Sequence, residues 1–363
     1  MSGMLVNCGG CRTQLVLPPG ARSIQCALCR HVTPIAYDRA SPAAALTAPQ
    51  VPHPYANTSQ HPQYTPTPPN VHGQKKAVLC GINYMYSRHQ LKGCINDSKC
   101  MKHMLMTKFN FPEASILMLT EEQTNPTMKP TRYNMHMAMV WLVQGCNAGD
   151  SLVFHYSGHG SQQRDYSGEE LDGMNETLCP IDFETAGMID DNEINSTLVK
   201  PLPHGVRLHA IIDACHSGTV LDLPWLCRFN RYGQFTWEDH RPRSGVWKGT
   251  NGGLAYSFSG CDDHQTSADT SALSKVTNTG AMTFCFIQAI ERGHAQTYGS
   301  VLCAMRDAIR STNVNSGMGA GPVTSLLQML ASGGSMLPST GGLTQEPQLT
   351  SATMFDINTP FYL

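Results

Sequence analysis

Residues 208–218 read LHAIIDACHSG, an apolar run that ends in a turn of small residues carrying Cys215. Residues 154–160, FHYSGHG, have the same form and carry His159 at the turn. Each run has the length and composition of a buried strand. In an α/β protein, residues just after the carboxyl ends of parallel strands face one crevice. We therefore expect Cys215 and His159 to meet there, although 56 positions separate them in sequence.

A cysteine and a histidine in contact are the arrangement of a cysteine peptidase. An imidazole within hydrogen-bond reach raises the thiolate fraction of a cysteine near neutral pH. Cys215 would attack a carbonyl carbon, and His159 would protonate the leaving amine. The backbone N–H groups of Gly160 and Cys215 are the predicted oxyanion hole, because each lies in a strand-to-turn bend. The alternative is a buried thiol and a surface histidine without a catalytic role.

The composition bounds the class of protein. The chain has 363 residues, 41% of them hydrophobic, which is enough for one large domain with accessory segments. Its formal net charge of −2 favours neither a nucleic-acid nor a membrane-surface partner. No apolar run is long enough for a membrane span and residues 1–10 lack the pattern of a signal peptide, so we expect a cytoplasmic protein that also enters the nucleus. In that reducing compartment the 14 cysteines are metal ligands, catalysts or buried thiols rather than disulfides.

Three zones differ in composition. Residues 1–36 hold four cysteines, residues 37–74 form a Pro-rich stretch that predicts a disordered, flexible linker, and residues 75–363 alternate strand-like and helix-like segments. The alternation predicts an α/β fold with a mostly parallel sheet flanked by helices, whose methionines fill the core. The predicted strands are 77–82, 116–119, 151–156, 207–213, 254–259 and 347–356, and the predicted helices are 95–109, 132–144, 192–199, 281–291 and 298–310.

Several separated motifs resemble those of one family. H-G after one apolar strand and D-A-C-H-S-G after the next are similar to the histidine and cysteine motifs of metacaspases, caspase-like peptidases of plants, fungi and protists. Further matching strings are LKGCINDS at 91–98 and SGCDDHQTSADT at 259–270. The resemblance covers nearly all of the third zone and implies a caspase-like fold. It implies a large-subunit-like part over 75–226, a processing loop over 227–252 and a small-subunit-like part over 253–363.

An acidic pocket is predicted beside the nucleophile. Asp213 lies two residues before Cys215, so both side chains point to the same side of the strand. Asp97 follows the opening strand and also lies at the crevice. The resemblance implies that Cys94, Asp97, Ser157 and Asp213 line the S1 pocket and that the enzyme cleaves after Arg or Lys, which acidic groups attract. Alternatively, Asp97 caps a helix and Asp213 accepts hydrogen bonds from backbone donors.

Acidic loops offer a second kind of site. The loop at 169–176, a second acidic loop and Asp222 carry carboxylates, which suit Ca²⁺. No EF-hand spacing is present, so the residues alone favour solvated loops and a helix N-cap at Asp191. The resemblance implies an activating calcium site formed by Asp190, Asp191, Asp222 and, where the family usually has Asp, Asn175. Because an amide contributes no charge, we expect a weaker, millimolar calcium affinity.

Basic residues offer sites for self-cleavage. The stretch from 227 to 252 is predicted to be irregular, and exposed loops are where proteolysis concentrates. The acidic pocket would accept basic side chains, and the alternative is that they are ordinary surface charges. The candidate sites are Arg228, Arg231, Arg241, Arg243 and Lys248 in this stretch, and Lys75 and Lys76 at the end of the linker.

The first zone has the cysteine spacing of a zinc site. Cys8, Cys11, Cys26 and Cys29 follow the pattern C-x2-C-x14-C-x2-C, in which each C-x2-C hairpin offers two thiolates to one tetrahedral Zn²⁺. The string resembles the plant zinc finger first described in lesion-simulating-disease proteins. Together with the linker, it implies a plant type I metacaspase. Mild positive charge without a recognition helix favours regulatory protein partners over DNA.

Two function classes compete at this point. The leading prediction is a calcium-activated, autoprocessing cysteine endopeptidase, a monomer that cleaves proteins after Arg or Lys in programmed cell death or proteostasis. The alternative is a scaffold that binds partners through the zinc finger and linker and uses the peptidase domain mainly as a platform. The presence of Cys215, His159 and Asp213 argues against the scaffold, since a decayed peptidase tends to lose one of them. A DNA-binding regulator is disfavoured by the net charge.

Overall fold

The computed structural model divides the protein into two compact units, Met1–Ser59 and Gln60–Leu363. Side chains are described from residue 74 onward, except at 269–270, 279 and 310–314. The described residues are 4–7, 14–17, 23–25, 32–34, 74–170, 173–215, 217–229, 234–260, 269–270, 279–314 and 347–363.

The first unit contains two short antiparallel hairpins. β1 (Met4–Asn7) pairs with β2 (Gln14–Leu17), and β3 (Ser23–Gln25) pairs with β4 (Val32–Pro34). The four predicted zinc ligands and the Pro-rich stretch up to residue 73 lie outside the described residues. In sequence, one C-x2-C pair falls between β1 and β2 and the other between β3 and β4.

The second unit alternates strands and helices, as the sequence predicts. Its strands are β5 (Lys75–Gly81), β6 (Ile116–Thr120), β7 (Ser151–Ser157), β8 (Gly160–Arg164), β9 (Met174–Leu178), β10 (Ile189–Asp190), β11 (Arg207–Asp213), β12 (Trp225–Phe229), β13 (Phe235–Asp239), β14 (Leu254–Ser259), β15 (Asp269–Thr270), β16 (Thr279–Gly280) and β17 (Gln348–Ser351). Its helices are α1 (Cys94–Phe109), α2 (Arg132–Val143), α3 (Phe183–Ala186), α4 (Asp191–Ile194), α5 (Ala281–Glu291) and α6 (Tyr298–Val314). Short 3₁₀ turns lie at Glu113–Ser115 and Pro126–Met128, and a π-helical segment, Asn195–Val199, continues α4.

An eight-stranded sheet forms the centre of this unit, in the order β13-β12-β17-β14-β11-β7-β5-β6. The five strands from β14 to β6 are parallel, and the three on the other side pair antiparallel. The prediction of a mostly parallel sheet flanked by helices is therefore confirmed. β17 pairs antiparallel with both β14 and β12, so the antiparallel strands lie together at one edge of the sheet.

Helices cover both faces of the sheet. Helices α1, α5 and α6 pack on one face, where Met101, Met104 and Met305 are fully buried. Helix α2 and the π-helical segment pack on the other, where Met139 is fully buried. Burying one such side chain stabilises the fold by roughly 1.5–3 kcal/mol. The prediction that these methionines fill the core is confirmed.

The stretch from 227 to 252, predicted to be irregular, is partly regular. Strands β12 and β13 form an antiparallel hairpin at the edge of the main sheet, so the prediction is wrong for 227–229 and 235–239. The segment FTWED alternates apolar and polar residues, a pattern that indicates a strand and that the overall composition of the stretch does not show. The remainder, 240–253, connects β13 to β14 without a further strand.

The register of the sheet brings three strand ends to one edge. Ser157 at the end of β7 lies opposite Asp213 at the end of β11 and opposite Gly81 at the end of β5. The Gly158 N–H donates to the Asp213 carbonyl at 3.2 Å, which ties the turns after β7 and β11 together. A Cβ on Gly81 would lie 2.6 Å from the Ser98 Oγ, so glycine allows α1 to start close to the sheet. Within the described residues, no helix is both long and apolar enough to cross a membrane.

Candidate active site

The histidine turn and the cysteine turn are in direct contact. A Cβ on Gly160 would lie 3.1 Å from the Cys215 carbonyl carbon and closer still to its oxygen, and 3.2 Å from the Ala214 Cβ. Only glycine lets the two turns approach this closely. The structure thus brings His159 and the half-buried Cys215 to the same edge of the sheet.

A backbone carbonyl orients the His159 ring. The His159 Nε2 lies 2.8 Å from the His89 carbonyl oxygen, which can only accept a hydrogen bond. Nε2 therefore carries a proton, and in the neutral ring Nδ1 is the atom left to accept one. His89 lies in the loop between β5 and α1, a position that sequence reasoning missed because a carbonyl acceptor leaves no residue-type signal.

Tyr84, from the same loop, fixes the main chain of the histidine turn. Its hydroxyl accepts from the His159 N–H at 3.0 Å and donates to the Cys179 carbonyl oxygen. Its ring lies against the imidazole, with the ring centroids 4.8 Å apart. The Cys179 N–H in turn donates to the His159 carbonyl at 3.1 Å. The turn is therefore held on both sides of its functional residue.

Three other cysteines of this unit differ from Cys215 in burial. Burial, with a smaller contribution from Cys215, raises the pKa of the Cys179 thiol to about 12. Burial also raises the pKa of Cys100 and of Cys227 to about 12. These three thiols stay protonated and unreactive at neutral pH. Cys215 is half-buried in the turn after β11 and is therefore more accessible than these three thiols.

Two buried carboxylates lie at the same edge. Asp97, from α1, is fully buried, and its carboxylate accepts from the Ser157 hydroxyl at 2.7 Å and from the Gly280 N–H at 3.0 Å. Asp213 is 4% exposed and accepts from the Thr283 N–H at 2.7 Å. A Cβ on Gly280 would lie 2.9 Å from one Asp213 oxygen, so Asp97 and Asp213 flank one glycine.

The structure excludes the helix cap as the role of Asp97 and confirms a backbone hydrogen bond for Asp213. Helix α1 has Gly93 at its N-cap and no side-chain cap, so Asp97 does not cap that helix. Asp213 does satisfy a backbone donor, at the start of α5, where the helix dipole favours a negative charge. The other two predicted S1 residues lie beside them, since Cys94 opens α1 and Ser157 binds Asp97.

The predicted calcium ligands fall into two groups. Asp191 is fully buried and lies with Glu170 and Glu176, whose carboxylate oxygens and its own lie within 4.8 Å of one another. Asp222 interacts electrostatically with this group, whereas Asp190 is the N-cap of α4 and accepts from the Glu193 N–H at 2.8 Å. The prediction of a helix N-cap at Asp191 is therefore wrong by one residue, since Asp190 caps α4.

Burial and mutual repulsion change the charge state of this acidic cluster, which comprises Glu169, Glu170, Glu176, Asp191 and Asp222. Burial first, and then the neighbouring carboxylates, raise the pKa of Asp191 to about 9 and of Glu170 to about 8. Burial is also the largest cause that raises the pKa of Asp222 to about 6. Carboxylates with raised pKa values gain most from a bound cation.

The donor set of the acidic cluster fits Ca²⁺. All its side chains offer hard oxygen ligands, and Ca²⁺ takes six to eight such oxygens. The Glu170 Oε1 is buried and has no hydrogen-bond partner within the described residues. The Asn175 Oδ1, also buried, has none there either. Glu170 and Glu176 were not among the predicted ligands, because the sequence shows them only as part of an acidic loop.

The candidate self-cleavage residues differ in accessibility. Arg241 and Arg243 are exposed in the segment after β13. Lys75 and Lys76 lie inside β5, and Arg228 lies inside β12, so their peptide bonds belong to the sheet. Lys248 is buried and ion-paired, and Arg231 lies outside the described residues.

Comparison with known proteins agrees with this geometry. The family model "Metacaspase, peptidase C14 domain" matches residues 75–224, which hold both His159 and Cys215, and the "LSD1 zinc finger" model matches residues 8–32, which hold all four predicted zinc ligands. Metacaspase-1 of Arabidopsis thaliana is 64% identical over 98% of this chain and 95% of its own length. Metacaspase-2 of the same plant is 47% identical over 99% and 97%. Metacaspase-1 of the fungus Eremothecium gossypii is 35% identical over 80% and 67%.

The fold and the paired turns define a caspase-like cysteine peptidase. The chain belongs to the metacaspases, and its zinc-finger region followed by the peptidase domain is the arrangement of the plant type I members.

Proposed function

We propose that this peptidase cleaves proteins after Arg or Lys. The observation that carries the proposal is the pair of buried carboxylates, Asp97 and Asp213, beside the cysteine turn. These two carboxylates flank Gly280, and together they make a site that favours a cationic side chain and repels an acidic one. Ser157 and Cys94 complete the lining.

The two turns supply the chemistry. Cys215 attacks the carbonyl carbon of the scissile bond, and the His159 Nδ1 takes the thiol proton and returns it to the leaving amine. The His89 carbonyl keeps the ring in the orientation that leaves Nδ1 free. The N–H groups of Gly160 and Cys215 are the proposed donors to the oxyanion, and water then releases the acyl group from Cys215.

We also propose that calcium activates the enzyme through the acidic cluster. When bound, the ion would supply positive charge to carboxylates that otherwise repel one another. Glu170, Glu176 and Asp191 would hold it, with Asp222 nearby. Asp222 lies nine residues after Asp213 and seven after Cys215, so ordering of this loop and of the cysteine turn is coupled through the chain.

Self-processing is proposed in the exposed segment that carries Arg241 and Arg243. The zinc finger, with the four cysteines of its two C-x2-C pairs as ligands, is proposed as a structural Zn²⁺ site that binds regulatory proteins. We further propose a cytoplasmic and nuclear monomer that acts in programmed cell death or proteostasis.

A single assay tests the peptidase proposal. Purified protein is mixed with a fluorogenic peptide that ends in Arg or, as the matched control, in Asp, each with calcium and with chelator. Release from the Arg peptide alone, dependent on calcium, is the expected result, and Cys215→Ala is the inactive control. Equal release from both peptides would refute the basic specificity, and undiminished release in chelator would refute calcium activation.

A further inference from the structure

Lys248 is a buried residue within an otherwise exposed segment. The residues before it are exposed, including Trp247 at 57%, whereas Lys248 is 2% exposed. A lysine almost never lies this deep unless its ammonium group is paired. The groups that pair with the ammonium therefore hold the segment against the domain at this residue.

The Lys248 ammonium lies in the acidic cluster. Its Nζ forms an ion pair with Glu169 at 2.7 Å and a shorter one with Asp222, and it donates to the Asn192 Oδ1. Asp222 also interacts electrostatically with Asp191 and Glu170. The lysine thus holds one member of the group of carboxylates that would bind a divalent cation.

The backbone of Lys248 is tied to the same loop. The Asn195 side-chain amide donates to three carbonyls, those of Lys248 at 2.8 Å, Leu221 at 3.0 Å and Asp222 at 3.1 Å. Asn195 is itself buried in the π-helical segment. Movement of Lys248 is therefore transmitted to the loop that follows the cysteine turn.

One ammonium group cannot neutralise the cluster. Five carboxylates share this region, and a divalent ion on Glu170, Glu176 and Asp191 would sit next to the Lys248–Asp222 ion pair. Two cations this close repel each other, and Asp222 cannot coordinate the ion fully while it holds the lysine. Binding of one cation should weaken binding of the other.

We infer that Lys248 is an internal counter-ion that competes with a divalent cation for Asp222, so that calcium binding loosens the segment 240–248. The inference rests on the calcium site proposed above. The loosened segment carries Arg241 and Arg243, so it would become a better cleavage substrate only when calcium is bound. The lysine would also weaken the calcium affinity, in addition to the effect of Asn175.

Calcium titration calorimetry on the full-length Cys215→Ala protein, which cannot cut itself, tests the competition. Lys248→Met should bind calcium about tenfold more tightly than the parent, which corresponds to about 1.4 kcal/mol. Lys200→Met is the matched control, because Lys200 is exposed and acts on Asp222 only at longer range, and it should change the affinity less than twofold. Lys248→Arg, which keeps the charge, should remain within threefold of the parent.

Hydrogen exchange provides a readout that needs no substitution at Lys248. Calcium should speed backbone exchange in a peptide covering 240–249 of the Cys215→Ala protein by about tenfold. Unchanged or slower exchange, or equal calcium affinity in Lys248→Met and the parent, would overturn the inference and leave the calcium site standing. Absence of calcium binding in the parent and in Lys248→Met would overturn both.

Discussion

Replacing Gly160 by Ala tests whether contact between the two turns positions the catalytic pair. The added methyl group would lie 3.1 Å from the Cys215 carbonyl carbon, well inside van der Waals contact with the attached oxygen. The obstacle is backbone and not a flexible side chain, so one of the turns must shift by about 1 Å. A displacement of that size costs roughly 100-fold in rate. The strain would also lower the free energy of unfolding by about 1–3 kcal/mol.

The assay measures kcat/KM on a fluorogenic peptide together with the melting temperature. Ser161→Ala is the control, because it alters the next residue of β8 without adding an atom toward Cys215, and it should stay within threefold of the parent. A folded Gly160→Ala protein with the parent's kcat/KM would refute the claim that this contact positions His159 and Cys215. A loss of stability without a loss of activity would have the same meaning.

Three further predictions follow from the described contacts. Asp213→Asn keeps the shape of the side chain but removes its charge, so kcat/KM on an Arg peptide should fall by about 100- to 1000-fold with little change in melting temperature; parental activity would remove Asp213 from the pocket. Tyr84→Phe leaves the His159 N–H without its acceptor, which should cost about 1–3 kcal/mol in denaturant unfolding, and an unchanged midpoint would contradict this. Burial raises the pKa of Asp191 to about 9 and that of Glu170 to about 8. At any pH between the ordinary carboxyl pKa and these raised values, the folded protein therefore binds more protons than the unfolded chain. The free energy of unfolding in chelator should therefore fall as pH rises from about 5 to about 8.5, and calcium should flatten that slope; rising stability would refute the assignment.

The parallel core of the fold could be predicted because each strand there is a continuous apolar run. Strand β11 was predicted at its observed bounds, and the turn after it carries Cys215. Since parallel strands end at the same edge, the meeting of Cys215 with His159 follows from topology alone. The hairpin formed by β12 and β13 was not predicted, because neither strand is a continuous apolar run, although FTWED at 235–239 alternates apolar and polar residues.

The parts of the site that the sequence could not show depend on backbone atoms or on loops distant in the chain. The His89 carbonyl acts through an atom that every residue possesses. Glu170 and Asp191 come together because α4 packs against β9, where the Glu176 N–H donates to the Asp191 carboxylate. The sequence does not distinguish Lys248 from an ordinary surface lysine, because its burial depends on contacts with distant residues.

The strand order has a consequence for the products of self-cleavage. A cut at Arg241 or Arg243 would separate a piece that ends after β13 from a piece that begins before β14. In the sheet, β17 and β14 of the second piece lie between β12 of the first piece and β11 of the first piece. The two fragments are interleaved through shared backbone hydrogen bonds. They should run as two bands in denaturing gels and elute as one species from a gel-filtration column, a nicked enzyme rather than two separated halves.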